Sequence, residues 1–215
     1  MDVSDLDALF DDHPTELARA LLGCELTVTT AEGSVRARLT EVEAYGDQGE
    51  DPGAHSYNGK TARNASLFGP PRHLYLYLSY GIHHCANLVG NGNRAGGVLL
   101  RAGEVIAGRS LAITRRGGQD TGSKLLSGPG RFAQGMGLTL SMDGQGLQIG
   151  EAGDPSVDTV RLVAPREPVD ALLISKGPRV GVSGKGGSVR FPWRYWLEGN
   201  PSVSRYRPGR GVRRQ

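Results

Sequence analysis

The sequence predicts an α+β or β-rich domain made of short elements joined by tight, irregular turns. Three observations carry that prediction. At 215 residues the chain has the length for one generous domain with a real core. Its 33 glycines and 12 prolines interrupt the sequence too often for long regular elements. Leu74, Leu76 and Leu78 alternate with Tyr75, Tyr77 and Ser79, the period-two pattern of a strand with one apolar face. No repeat, linker or second domain is visible. Residues 1–204 read as a single domain, and 205–215 as an Arg-rich, flexible tail.

The elements follow in order. HPTELARALLGCEL reads as a helix, with Thr15 as its N-cap, an apolar stripe of Leu17, Leu21 and Leu22, and Gly23 at its end. ELTVTTAEGSVRARLTEVEAY alternates around a Glu32-Gly33 turn and predicts a hairpin. Residues 46–73, rich in Gly, Asp, Asn and Pro, read as a long loop, a feature that in a compact domain is usually functional. The tyrosine strand comes next, then a second strand over 84–89. GGVLLRAGEVI is a further strand leading into a helix near 105–115, and LLSGPGRFAQGMGL a turn followed by a short helix. DALLISKGPRVGVS ends in strands and FPWRYWLEGNPSVS closes the domain.

No run of 18 apolar residues exists, so no membrane span is expected, and the acidic start MDVSDLDALFDD lacks the pattern of a secretory signal. Cys24 and Cys85 are expected to be reduced, in a cytoplasmic protein. The net charge of +3 hides an asymmetry. Residues 179–215 hold nine Lys/Arg and one acid, a net of +8, whereas residues 1–178 hold 16 basic and 21 acidic residues, a net of −5. A basic C-terminal part on an acidic body points to a polyanion partner.

Candidate chemistry is sparse. Glu41 and Glu43 lie two apart on one strand and face the same side, at a strand end where a loop opens, so either is a candidate general base. His55 lies in the long loop. His83-His84-Cys85 suggests a metal site, but neighbours on a strand point to opposite faces, and no CxxC or HxxxH accompanies them; no metal or cofactor is expected. GxSxG and phosphate-loop patterns are missing. What remains is one carboxylate base, several aromatics and a basic C-terminal third. That set suits chemistry on a base in duplex DNA, which requires the nucleotide to leave the stack. Tyr80, on the Tyr80-Gly81 turn, suits the wedge that would fill the gap.

EVEAY, the downstream AHS, RN followed by LF, LYLYLSYG, CAN and LLRA occur in the order and spacing of the alkyladenine (3-methyladenine) DNA glycosylase family, which this chain resembles from about Leu17 to Ser204, SGPGR and RVGV included. The resemblance implies one α+β domain around a curved antiparallel sheet, with flanking helices and a protruding hairpin. It implies Glu43 as the base that activates water, with Arg101 and the backbone carbonyl of Val180 holding that water. Tyr45 would stack on one face of the flipped base, with His55 and Tyr77 on the other, and the His55 main chain would touch the base edge. Asn87 would disfavour the amino group of normal guanine, and Tyr80 would intercalate. Arg63, Lys185 and Arg190 are the candidates for DNA backbone contacts. No lysine lies within the matched motifs, so cleavage would be water-mediated and monofunctional, by a monomer, nucleoid-associated if bacterial. Ile82-His83-His84 stands where mammalian members carry bulkier aromatics.

Two rival readings remain open at this level: a non-enzymatic damaged-DNA-binding module with a structural Glu43, and a metal-dependent nuclease or hydrolase using Glu41 and Glu43. The sequence also makes a geometric demand. A two-residue hairpin centred on Tyr80-Gly81 would put Tyr77 and Asn87 on opposite faces, so if both line one pocket the turn must be longer or a strand must bulge.

Overall fold

In a computed structural model that describes residues 2–151 and 158–212, the chain opens with two short helices, α1 (Val3–Ala8) and α2 (Pro14–Leu21). The cap of α2 is His13, not Thr15: Pro14 takes the first helical position, where its missing N–H costs nothing, and the His13 ring accepts from the Thr15 N–H. A hairpin follows, β1 (Glu25–Thr30) and β2 (Gly33–Tyr45), registered Thr30 opposite Gly33, so the connecting residues are Ala31 and Glu32. The long loop contains a 3₁₀ stretch over Ala62–Phe68 before β3 (His73–Ser79) and β4 (His83–Val89). Then come β5 (Gly97–Ala107), α3 (Arg109–Arg115), α4 (Pro129–Met136), β6 (Gln148–Ile149), β7 (Thr159–Val163), β8 (Ile174–Gly177) and β9 (Arg194–Leu197). The strand β5 therefore runs through Val105–Ala107, where a helix was expected to begin, and the RVGV segment is turn rather than strand.

These elements form one mixed α+β domain around a curled sheet ordered β3-β4-β5-β2-β1-β7-β6, antiparallel except for β6 with β7. The thirteen-residue β2 is its spine. β5 lies along one edge of β2; on the other edge, β1 pairs with the first half and β9 with Glu41–Glu43. Three irregularities fall where β2 meets β5, the first leaving Ile106 extra opposite Arg36 and Ala37 and the other two lying near the glutamates. Thr40 is an extra residue between the Leu39–Gly103 and Glu41–Ala102 pairs, and Arg101 is extra between Glu41–Ala102 and Val42–Leu100. Bulges bend a strand and re-aim side chains. Here the latter two lie on either side of Glu41, with Glu43 two residues farther along β2.

The period-two reading of β3 explains how the sheet divides its work. Leu74 and Leu76 enter the main core with Leu17 and Leu21 of α2 and Phe132 and Met136 of α4. Each fully buried leucine or phenylalanine contributes roughly 1.5–3 kcal/mol. Tyr75 and Tyr77 point the other way, into a separate cluster with Leu67, Phe68 and Val89. One face of the strand holds the fold together; the other builds a pocket. Among the described residues no helix is long and apolar enough to cross a membrane.

Candidate active site

The β3–β4 turn meets the geometric demand by length. Ser79 pairs with His83, leaving a three-residue loop of Tyr80, Gly81 and Ile82, so Tyr77 faces Cys85 and Tyr75 faces Asn87 across the ladder. Cross-strand partners share a face. All four side chains line one cavity of about 470 Å³, together with Glu43, Tyr45, His55, Tyr80, Arg101 and Val180. Every residue expected to act on a base or on water is thus gathered at one pocket, of a size suited to a small organic ligand.

Glu43 lies on the floor, fully buried. Its Oε1 accepts the Val180 N–H at 2.7 Å, and its Oε2 accepts the Tyr45 hydroxyl at 2.9 Å and Arg101 at 3.3 Å. Val180 thus meets the carboxylate through its amide. Burial, and then the charge of Glu43, raise the Tyr45 phenol well above its ordinary range, so it stays protonated and donates. Glu41 does different work. Its Oε1 accepts Arg101 at 2.8 Å, Arg194 at 2.7 Å and the Ser204 hydroxyl at 2.8 Å, and its Oε2 accepts the Ser204 N–H at 2.6 Å. Burial alone would raise the Glu41 pKa; the two guanidinium charges and these hydrogen bonds outweigh it and hold the carboxyl below its usual range. Glu41 is an anchor for Arg101, and Arg101 bridges it to Glu43.

A second buried pair fixes the wall. Arg179 donates to both Asp51 oxygens at 2.5 and 2.6 Å, to the Ala44 carbonyl at 2.9 Å and to the Gly186 carbonyl at 2.8 Å. Its guanidinium also lies 4.4 Å from the centre of the Tyr45 ring. Asp51 in turn accepts the Gly46 and Gly53 N–H groups, closing the first part of the long loop. Asn64 holds the next part, donating to the His55 carbonyl at 2.8 Å and the Gly59 carbonyl at 3.1 Å. His55 then sits at the pocket mouth. The residue as a whole is exposed, but its ring lies 4.5 Å from that of Tyr77, and Nδ1 is 2.9 Å from the Tyr75 hydroxyl. Desolvation of the ring, then the charge of Arg63, lower its pKa below the ordinary histidine value. Asn87 is buried and donates to the Tyr75 carbonyl at 3.0 Å.

The remaining candidates lie outside the pocket. Arg63 is exposed and donates to the Leu78 carbonyl at 3.0 Å, behind the hairpin. Lys185 and Arg190 are exposed on and beyond the 3₁₀ turn Gly184–Gly187, next to the pocket-lining Ser183. Sequence reasoning missed Asp51, Arg179, Arg194, Ser204 and Tyr75. Only Tyr75 carried a local signal, its place on the same strand face as Tyr77. Burial raises the Cys85 thiol, which suits a wall residue rather than a nucleophile. Among the described residues no three metal-ligating side chains gather.

Residues 8–201 match the family model described as methylpurine-DNA glycosylase. A protein of Streptomyces avermitilis, named provisionally as a 3-methyladenine DNA glycosylase, is 45% identical over 193 residues, spanning 89% of this chain and 86% of its own length. Proteins of the same name from Nocardia farcinica (44% identical, 96% and 93% of the two chains) and Agrobacterium fabrum (41%, 92% and 91%) are similarly related. A family match across nearly the whole domain, with each expected base-binding and water-activating residue gathered at one pocket, shows that the chain belongs to the methylpurine-DNA glycosylase family.

Proposed function

We propose that the chain is a monofunctional glycosylase that turns a damaged purine out of duplex DNA and hydrolyses its N-glycosidic bond, the first step of base excision repair. The relatives' names point to 3-methyladenine; other alkylated purines leave in the same way, and neutral deaminated or etheno purines would additionally need a proton delivered to the leaving base. The observation that carries the reading is Glu43. A carboxylate offers about four lone-pair positions, and three are filled by Val180, Tyr45 and Arg101. One is left, on the pocket floor, for a water aimed at the sugar carbon.

The other roles follow from chemistry. Tyr45 covers one face of the base and His55 and Tyr77 the other, a sandwich whose electron-rich faces favour a cationic alkylated purine. Such a base is already a good leaving group, so one carboxylate suffices to take a proton from water and to stabilise the oxocarbenium-like centre. Asn87 disfavours the amino group of guanine. Tyr80 fills the vacated stack, and Arg63, Lys185 and Arg190 contact phosphates.

The test is single-turnover excision from duplexes carrying hypoxanthine, ethenoadenine or an alkylated purine, with chelator, before and after alkali. Wild type should release base and leave strand breaks only after alkali. Glu43→Gln should slow release by about 10²–10⁴-fold, the usual worth of a general base, while still binding the duplex. Binding without release by the wild type would leave a damage-binding module instead.

A further inference from the structure

The family match ends at residue 201, and the most basic stretch of the chain lies beyond it. That stretch runs along the pocket. Ser204 is tied by its N–H and hydroxyl to Glu41, and its carbonyl accepts Arg194 at 2.9 Å. Farther on, the Arg207 carbonyl accepts the Gly181 N–H at 2.8 Å and the Arg210 carbonyl accepts the Gly184 N–H at 3.0 Å. The approach is close enough that a Cβ at Gly209 would collide with the Val182 carbonyl. Gly181, Val182 and Ser183 line the cavity, and Val180 beside them gives its amide to Glu43. One end of the segment is therefore fastened to the carboxylate network, and the other to the wall that positions Glu43.

Arg205, Arg207 and Arg210 are exposed, and among the described residues no acid pairs with them. Some exposed arginines elsewhere are matched, Arg38 with Glu104 and Arg109 with Asp120, while others such as Arg131 and Arg166 are not, so what sets these three apart is their place on a segment fastened to the pocket wall. Three unneutralised guanidinium groups on a segment fastened to a pocket wall are placed for an anion that arrives with the substrate. We infer that residues 204–212 form a strap that completes the pocket wall and grips duplex phosphates at its rim through Arg205, Arg207 and Arg210. The inference rests on the glycosylase reading above for its substrate.

Two variants separate its parts. Arg205→Gln, Arg207→Gln and Arg210→Gln together alter only exposed side chains. Against undamaged duplex they should flatten the log–log salt dependence of binding by up to about 2.7, three contacts at ~0.9 each. Affinity near 100 mM salt should fall roughly 10- to 100-fold. An unchanged slope and affinity would overturn the phosphate grip. Gly209→Val keeps every charge but pushes the strap off Val182. Thermal melting would report its folding, and release of an alkylated purine at saturating protein should slow by about tenfold or more, as small misplacements in a site do. A saturated rate equal to wild type would overturn the positioning role. If the intact chain released no purine, the glycosylase reading would fall, and the salt slopes would still decide whether the strap binds DNA.

Discussion

The pocket floor and the hairpin tip are built on opposite terms. On the floor and wall, Glu41, Glu43 and Asp51 are buried with Arg101, Arg179 and Arg194, each acid paired with at least one arginine. Taking such groups out of water costs several kcal/mol per ion, offset only by good geometry, so the arrangement is a poor way to gain stability and a good way to fix direction. At the tip, Tyr80 is 92% exposed and Ile82 72%, and a Cβ on Gly81 would meet nothing. Tyr80 even sits at φ 51, a left-handed conformation that costs a non-glycine residue about 1–2 kcal/mol. Reaction geometry has to be held before substrate arrives. A probe has to present apolar surface that folding leaves unused.

The largest expected effect would break the floor. Asp51→Ala leaves Arg179 buried and unpaired, and should cost about 3–5 kcal/mol. In a domain of this size that lowers Tm by roughly 10 °C, since each kcal/mol is worth about 2–4 °C. Thermal melting checks it, and a melting curve matching wild type would mean that the wall does not depend on this pair. Asp51→Asn, which keeps the shape and part of the hydrogen bonding, should lose less.

The same contrast explains what could be read from the sequence. The tip and the tyrosine wall were legible because their signals are local: an alternating strand, a turn, and a face shared by Tyr77 with Asn87 once the turn has three residues. The floor was half legible. Glu43 was visible as the strand-end carboxylate, but its neighbours come from far along the chain. Arg179 lies 128 residues from Asp51, and Ser204 163 from Glu41. No periodicity reports such pairs. The bulges at Thr40 and Arg101, which decide where the side chains of β5 point, also leave no mark in the spacing. β7 escaped for a plainer reason: five residues with two buried, Val160 and Leu162, are too short a pattern to stand out.

A smaller effect should sharpen the contrast at the tip. Tyr80→Ala removes a ring that packs on little, so stability should change by no more than about 0.5 kcal/mol. Binding to a lesion-bearing duplex should weaken by about 1–3 kcal/mol, the worth of one base-stacking contact. Melting and titration on the same preparations check both halves. A large loss of Tm would show that the tip is packed after all, and unchanged lesion affinity would remove its role as wedge.

The smallest effect concerns His55, which belongs to both regions: its ring is held by Tyr75 and Tyr77, yet the residue is exposed at the pocket mouth. Desolvation and then Arg63 lower its pKa from the ordinary 6.5. The folded ring therefore binds its proton less readily than the unfolded one. Its contribution to stability is present above pH 6.5 and is lost as pH falls through the lower folded value. His55→Gln should flatten that part of the stability curve; the loss that belongs to Glu41 begins only below the ordinary carboxyl value of 4.5. Excision carries a second signature of the same proton. A protonated ring repels a cationic alkylated purine but not a neutral one such as hypoxanthine. As pH falls through the lowered folded value, release of the cationic lesion should therefore fall ahead of the neutral lesion. Parallel decline of the two would place the titrating group elsewhere and leave His55 as a stacking surface only.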